Sequence, residues 1–257
     1  VRLTFLGTGT SFGIPQIGCR CPVCTSSDPR DKRGRTSVVV QANGKAILVD
    51  TPPELRVAML REGIGAVDAV LYTHDHADHT HGIDDLRALS GHHRGTLPVY
   101  GPADGLERMR RKFDYIFDPD VRPIPGSSRP AVTVTALEPG RCVTIAGIQV
   151  LPLRFSHGPS DVLGYRFGPI AYLTDVKLVP EAEREALAGL EVLVLNALFH
   201  RSHPTHLSIP EAVQTALAIG AKRTFLTHLT HETSHASLEA ELPPQVRPAY
   251  DGLVVEA

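Results

Sequence analysis

Apolar residues fall along this chain in two patterns. Short runs rich in β-branched residues occupy residues 37–41, 46–49, 69–72, 98–100, 132–137, 148–153, 170–173, 192–195 and 224–227. Each ends on Gly, Pro, Asp, Asn or His, as strands running out into loops do. Between them, residues 53–62, 84–90, 103–113, 181–188, 210–219 and 237–241 carry helical patterns. Leu55, Ala58 and Met59 recur at helical spacing, as do Val213 and Leu217, so each of these helices is expected to bury one apolar face. Residues 1–7 read as a further strand. The early half is strand-rich and the later half alternates strands with helices, which predicts an α/β fold with helices covering a sheet core. No linker interrupts the pattern, so one domain over residues 1–257 is expected. Residues 119–130, rich in Pro, Gly, Ser and Arg, read as a surface loop, because strands resume directly after them. No repeat of solenoid or propeller period is found.

Composition narrows the function class. With 257 residues, 42% of them hydrophobic, the chain can bury a sizeable core. A net charge of −2 shows no basic excess, which counts against a large nucleic-acid partner. No apolar stretch is long enough to span a bilayer, and residues 1–7 carry no signal-peptide pattern. Three of the four cysteines crowd together as Cys19-x-Cys21-x-x-Cys24. A secreted disulfide scaffold would be shorter and richer in cysteine, so the chain is expected to be cytoplasmic and the clustered thiols to bind metal. Lone Cys142 is expected in a strand, as a core residue. Thirteen histidines are many for this length, and histidine is the commonest metal ligand.

The run Thr73-His74-Asp75-His76-Ala77-Asp78-His79 follows the strand at residues 69–72 and supplies His74, His76, Asp78 and His79 as candidate ligands. A strand cannot aim them at one point, because alternate side chains face opposite ways; a loop entering a helix can. His74 and His76 can share one ion while Asp78 and His79 turn toward a second. His157, Asp175 and His228 each end an apolar run and so lie at the rim of the core, where ligands are held rigidly. Singly, each also reads as a turn residue. With the first run they complete two metal sites.

Cys19, Cys21 and Cys24 offer three thiolates, whereas a closed structural zinc site takes four sulfur or imidazole ligands. His231, one helical turn beyond His228, is the candidate for the fourth.

Through His74-x-His76-x-Asp78-His79, then His157, Asp175 and His228, the chain resembles the metallo-β-lactamase superfamily over nearly its whole length. The resemblance implies a four-layer αββα sandwich with metals at one edge of the paired sheets. It assigns His74, His76 and His157 to one ion and Asp78, His79 and His228 to the other, with Asp175 bridging. Asp50 matches a further superfamily position and is expected to orient the ligand loop by hydrogen bonds; it also reads as the N-cap of the helix that follows. Leu6-Gly7-Thr8-Gly9-Thr10, then Gly18-Cys19-x-Cys21-x-x-Cys24, then His228-x-x-His231, is similar to the PhnP-like branch. These are cyclic phosphodiesterases associated with the carbon–phosphorus lyase pathway. The likeness implies a structural zinc on the three cysteines and His231, tethering an N-terminal loop beside the loop that bears His228. A similar cysteine cluster occurs in the branch related to pyrroloquinoline quinone biosynthesis, so the cluster alone leaves the substrate open.

The implied activity is hydrolysis of a small phosphodiester, a cyclic ribose phosphate or 2′,3′-cyclic nucleotide. Two divalent ions, zinc or manganese by their ligand chemistry, would share Asp175 and a water, lowering its pKa so that hydroxide attacks in line. Asp78 is counted with the catalytic groups as well as the ligands. The leaving ribose oxygen needs a proton, which a histidine can supply. His200, His203 and His206 lie in one loop and all qualify; the resemblance favours His206. Arg201 beside them reads by default as solvated. The alternatives are a transfer-RNA 3′-processing endonuclease, a thioester or lactone hydrolase, and a non-catalytic partner in cofactor synthesis. The first usually carries a protruding basic, glycine-rich arm, and no such insertion is evident. The last has no need of a complete ligand set. Oligomeric state is open, a homodimer included.

Overall fold

The structure is a computed structural model that describes residues 1–92 and 96–257. The first half of the chain runs β1 (Arg2–Gly7), β2 (Ser37–Ala42), β3 (Lys45–Val49), α1 (Leu55–Arg61), β4 (Ala69–Leu71), α2 (Ala77–Thr80), α3 (Leu86–His92), β5 (Leu97–Gly101), α4 (Ala103–Lys112), α5 (Asp114–Phe117) and β6 (Val132–Ala136). The second runs β7 (Val143–Ile145), β8 (Ile148–His157), β9 (Ser160–Phe167), β10 (Ile170–Leu173), α6 (Glu181–Ala186), β11 (Val192–Asn196), α7 (Ile209–Ile219), β12 (Arg223–Thr227), α8 (His235–Glu241), β13 (Val246–Pro248) and β14 (Val254–Glu256).

Two seven-stranded sheets result, in the orders β14-β1-β2-β3-β4-β5-β6 and β13-β12-β11-β10-β9-β8-β7. Each half repeats one plan: antiparallel neighbours first, then parallel strands joined through helices. In the first sheet β1, β2 and β3 are antiparallel, and β3 to β6 are parallel. In the second, β7 to β10 are antiparallel and β10 to β13 parallel. Parallel neighbours end at the same edge, so each half delivers its loops to one rim.

The strands are apolar on both faces because both are covered. Leu3, Phe5, Val38, Val40, Ile47 and Val49 meet Val150, Tyr165, Phe167, Tyr172, Val192 and Val194 between the sheets. The alternate residues Val39, Leu48 and Val70 face outward against Leu55, Met59, Leu86 and Leu106 of the helices. On the far side Leu173, Leu193, Leu195 and Leu226 pack against Ile209, Ala212, Ala216 and Leu238. These are the four layers, helix, sheet, sheet, helix, that the resemblance implied.

Several elements depart from the sequence reading. β9 was hidden by its polar start and by Gly164, a residue that weakens strands. Tertiary packing requires that glycine: a Cβ there would lie 2.3 Å from Leu173 Cδ2 and 2.8 Å from Phe155 Cε2. On α7 the buried stripe is Ile209, Ala212 and Ala216; Val213 is half-buried, and Leu217 is exposed because it lies past the sheet-facing side. Cys142 is exposed just ahead of β7, its Sγ 3.2 Å from Gln149 Oε1, so it is no core residue. Residues 119–130 form the expected exposed loop.

One contact locks the first half's rim. Thr51 N donates to His79 O, and Gly82 N donates to Thr51 O, both at 2.8 Å. The end of α2 thus lies directly on the segment leaving β3, and a Cβ on Gly82 would come 2.1 Å from Pro52 O. Gly82→Ala is therefore expected to push α2 away and lower stability by about 1–3 kcal/mol, as overpacking does. Thermal unfolding at a wild-type melting temperature would show that this junction yields easily.

Candidate metal centre

The rim gathers residues from both sheets. Asp50 follows β3; His74 and His76 follow β4; Asp78 and His79 ride on α2; His157 ends β8; Asp175 and His228 follow β10 and β12. Asp50, Asp175 and His228 all take left-handed backbone conformations, with φ of 63°, 59° and 59°. For a residue with a Cβ this costs about 1 kcal/mol or more, and such residues concentrate at functional sites.

The side chains converge on Asp175, whose two carboxylate oxygens face different histidines. Oδ2 is 3.9 Å from His74 Nε2 and 3.8 Å from His157 Nε2. Oδ1 is 3.4 Å from His79 Nε2 and 3.5 Å from His228 Nε2. Asp78 Oδ2 is 3.4 Å from His79 Nε2 and 3.8 Å from His228 Nε2. Two ligands about 2.0–2.1 Å from a shared ion at a tetrahedral angle lie about 3.3–3.4 Å apart, so the spacing suits metal. One group is His74, His76, His157 and Asp175; a second is Asp78, His79 and His228, within reach of the other Asp175 oxygen.

Two further observations support a cation there. His74 Nε2, His79 Nε2 and His228 Nε2 are buried without hydrogen-bond partners, and a bare buried polar atom costs about 1–3 kcal/mol. The electrostatics also match. Burial alone would raise the Asp175 carboxyl, but the His228 and His79 imidazoles hold it well below the usual range. Asp78 is likewise held down, by His79 and His228 against burial. Burial lowers His74, His76 and His157, which keeps them in the neutral form a metal needs. Burial would also lower His79, yet the Asp175, Asp78 and Asp50 carboxylates raise it well above its ordinary value, so positive charge is stabilised at that point.

Hydrogen bonds behind the candidate ligands set their orientation. Asp50, fully buried, accepts from Thr73 N and Thr73 Oγ1 at 2.8 Å and from His79 Nδ1 at 2.7 Å, which turns His79 Nε2 inward. It does not cap α1, whose first turn starts after Glu54. His157 Nδ1 donates to the Thr205 carbonyl at 3.0 Å. Asp75 points away from the site and binds Arg108 Nε at 2.8 Å and Lys112 Nζ at 2.6 Å, tying the ligand loop to α4. Sequence reasoning missed Thr73, Thr205 and Asp75. The only signal was for Asp75: Arg108 and Lys112 lie four apart on one helix face.

The cysteines form a separate cluster. Cys19, Cys21 and Cys24 Sγ lie 3.3, 3.3 and 3.4 Å from His231 Nδ1. Zinc bonds of about 2.3 Å to sulfur and 2.0–2.1 Å to nitrogen at tetrahedral angles separate such atoms by about 3.5 Å. The Cys24 backbone N–H donates to Cys21 Sγ and lowers that thiol to about 6, whereas burial pushes Cys24 up to about 11. His231 is not a helical turn past His228. Residues 228–231 leave the strand through a bend and turn, and Leu229 pairs with Thr8 and Thr10 through N–H to carbonyl bonds of 3.0 and 3.1 Å. That extended pairing carries His231 to the cysteines.

A cavity of about 480 Å³ opens beside the carboxylate-histidine cluster, walled by His206, His203, Phe199, Arg201 and the N-terminal loop through Phe12. Of the three loop histidines, His206 reaches deepest: its Nε2 is 3.1 Å from Asp175 Oδ2, and its Nδ1 is 2.8 Å from Thr205 Oγ1. His203 also lines the cavity. His200 is exposed and paired with Glu241 at 2.7 Å, outside it.

Residues 45–229 match the beta-lactamase superfamily domain. The chain belongs to the metallo-β-lactamase superfamily. It is 40% identical over 259 residues to an octanoyltransferase of Porphyromonas gingivalis, covering 98% of this chain and 51% of that protein, so it spans about half the length of that curated relative. A solved diphosphatase from the PhnP family superposes with a TM-score of 0.91 at 40% identity, covering 100% of this chain and 97% of the other, which places the chain in the PhnP-like branch. Zinc-bound PqqB of Methylobacterium extorquens shares the fold, with a TM-score of 0.81 at 18% identity over 100% of both chains. The metallo-β-lactamase fold implies divalent metals, and the clustered groups fit them. Among the described residues no helix is long and apolar enough to cross a membrane.

Two outcomes follow from this superfamily site. Asp50→Asn replaces an acceptor facing His79 Nδ1 with an amide donor on one side, so affinity for metal should fall about 10- to 100-fold, read by chelator competition. Wild-type affinity would reduce Asp50 to a packing residue. Cys21→Ser should lower the melting temperature and loosen the N-terminal loop, because metal binding at such a cluster is coupled to folding. A mutant that retains zinc and melts like wild type would remove the structural role from these cysteines.

Proposed function

We propose that the chain is a metal-dependent phosphodiesterase that opens cyclic ribose phosphates or 2′,3′-cyclic nucleotides. The observation that carries this reading is Asp175, with one oxygen toward His74 and His157, the other toward His79 and His228, and His206 beside it in the cavity wall. His74, His76 and His157 would hold one divalent ion, zinc or manganese, and Asp78, His79 and His228 a second, with Asp175 within reach of both groups. Cys19, Cys21, Cys24 and His231 would hold a structural zinc. Divalent ions bound there would activate water at neutral pH and neutralise phosphoryl charge.

The protein's own part is orientation and proton transfer. Thr205 Oγ1 lies 2.8 Å from His206 Nδ1 and accepts from it in the imidazolium form, which leaves Nε2–H facing the reaction site and returns to neutral imidazole on giving up that proton. From there His206 protonates the ribose oxygen as the phosphorus–oxygen bond breaks. His203, 3.3 Å from His206 Nδ1, stands behind it. The PhnP-family relative at 40% identity is a diphosphatase, which motivates a second reading, cleavage of a phosphoanhydride. There the leaving phosphate departs without needing this acid.

His206→Ala is expected to slow hydrolysis of a 2′,3′-cyclic nucleotide by about a hundredfold or more while slowing a nitrophenyl phosphodiester far less, with metal content unchanged. Equal slowing on both would assign His206 to charge stabilisation instead. No slowing would transfer the role to His203. Turnover of diphosphates but of no phosphodiester would favour the second reading.

A further inference from the structure

Within the cysteine cluster, Cys21-Pro22-Val23-Cys24 has the spacing of a redox-active dithiol as well as that of a metal knuckle. Its two sulfurs differ in setting. Cys21 is half-buried beside exposed Pro22, whereas Cys24 is 5% exposed and packs with Ile14 and Val23. The Cys24 backbone N–H points at Cys21 Sγ, 3.4 Å away, and the ligand atoms of the cluster all lie within 4.8 Å of one another. Side-chain rotation alone can therefore bring the two sulfurs together. An oxidant arriving from solvent meets Cys21 first, and the sheltered Cys24 stands ready to resolve what forms there.

Joining this pair reaches beyond two sulfurs. The apolar cluster under the N-terminal loop is small: Ile14, Val23 and Cys24, with Cys19 and Cys21 against it. Ile17 in the same loop is 97% exposed. Segments with so little core depend on a metal or a cross-link for their order. Once Cys21 and Cys24 are bonded to each other, Cys19 and His231 remain, and a closed zinc site takes four ligands. His231 follows closely on His228, and the loop that the cluster ties down carries Phe12 into the wall of the cavity.

We propose that Cys21 and Cys24 are a modification site, a dithiol that hydrogen peroxide oxidises to a disulfide, and that this oxidation opens the cysteine cluster and frees its zinc. This rests on reading Cys19, Cys21, Cys24 and His231 as a structural zinc site; it does not need the phosphodiesterase reading. Peroxide transfers one oxygen to Cys21 Sγ, giving a sulfenic acid, and its other oxygen leaves as hydroxide. Cys24 Sγ then attacks Cys21 Sγ, the S–O bond breaks, and the sulfenic oxygen departs as water once protonated. Together the sulfurs give up two electrons, and one hydrogen peroxide becomes two waters. A dithiol reductant reverses the step by thiol–disulfide exchange.

The test uses the full chain, zinc-loaded and carrying Cys142→Ser, which removes the exposed thiol outside the cluster. Hydrogen peroxide is added at one equivalent per chain. Imidazole and carboxylate ligands do not react with it at that dose, so peroxide-dependent zinc release, read with a chromogenic chelator, reports on the cysteines. Trypsin cleaves after Arg20 and so separates Cys19 from the peptide 21–30, which holds both Cys21 and Cys24. The expected result is a disulfide internal to that peptide, one zinc released per disulfide, and a lower melting temperature, all reversed by dithiothreitol and zinc. A disulfide joining Cys19 to the 21–30 peptide overturns the proposal. So do zinc retained after the disulfide has formed, release only through sulfinic and sulfonic acids, and thiols that do not react. Cys24→Ser should instead accumulate a sulfenic acid at Cys21 that dimedone traps; if this variant does not fold, the peptide map of the parent protein decides alone. An untreated protein with no more zinc than Cys21→Ser would fail the structural-zinc reading before any peroxide is added, and this inference would fall with it.

Discussion

Asp175 lies 2% exposed and within 3.9 Å of five histidine rings, those of His74, His79, His157, His206 and His228. A carboxylate taken out of water must be compensated, and here the compensation has to come from both sides at once. The first sheet supplies it through the loop after β4, the second through the ends of β8 and β12. Asp175 takes its left-handed backbone conformation just past the end of β10. The rest of the rim can be read as keeping that meeting point in register.

The support comes in a second ring of contacts. Asp50 grips Thr73 and His79 together, Thr51 and Gly82 clamp the end of α2, and Asp75 anchors the same loop to Arg108 and Lys112 on α4. On the other sheet the Thr205 carbonyl accepts from His157 Nδ1, and its hydroxyl lies 2.8 Å from His206 Nδ1. One short loop therefore orients both a ligand and the proposed acid. Rigidity of this kind matters because ligand rings misplaced by about half an ångström lose much of their use.

The cysteine cluster performs the same service for the N-terminal loop. Thr8 and Thr10 already pair with Leu229, one residue from His228, and His231 then reaches the three thiols. The loop bearing Phe12 is thereby fixed as a wall of the cavity rather than left as a free arm. The two clusters differ in kind: one is closed by sulfur and imidazole, the other lines an open cavity with carboxylates and imidazoles.

Much of this was legible in the residues themselves. Local periodicity is a property of adjacent positions, so strands such as Ile170–Leu173 and helices such as Ala103–Lys112 could be placed from sequence. The clustering of candidate ligands was legible too, because His74, His76, Asp78 and His79 crowd a few positions and His157, Asp175 and His228 each close an apolar run. What sequence could not decide depends on chain segments far apart. β9 exists because β8 and β10 flank it, and Gly164 is demanded by Leu173 and Phe155 across the packing. Leu217 loses its place in the core to Ala212 and Ala216, since only packing against the sheet tells which stripe of α7 faces inward. Three histidines in one loop were equivalent as letters; the fold sends His200 to Glu241 at the surface and brings His206 to Asp175. Residue chemistry is carried by the sequence, but direction is set by the turns and the facing sheet, and only the tertiary structure holds both.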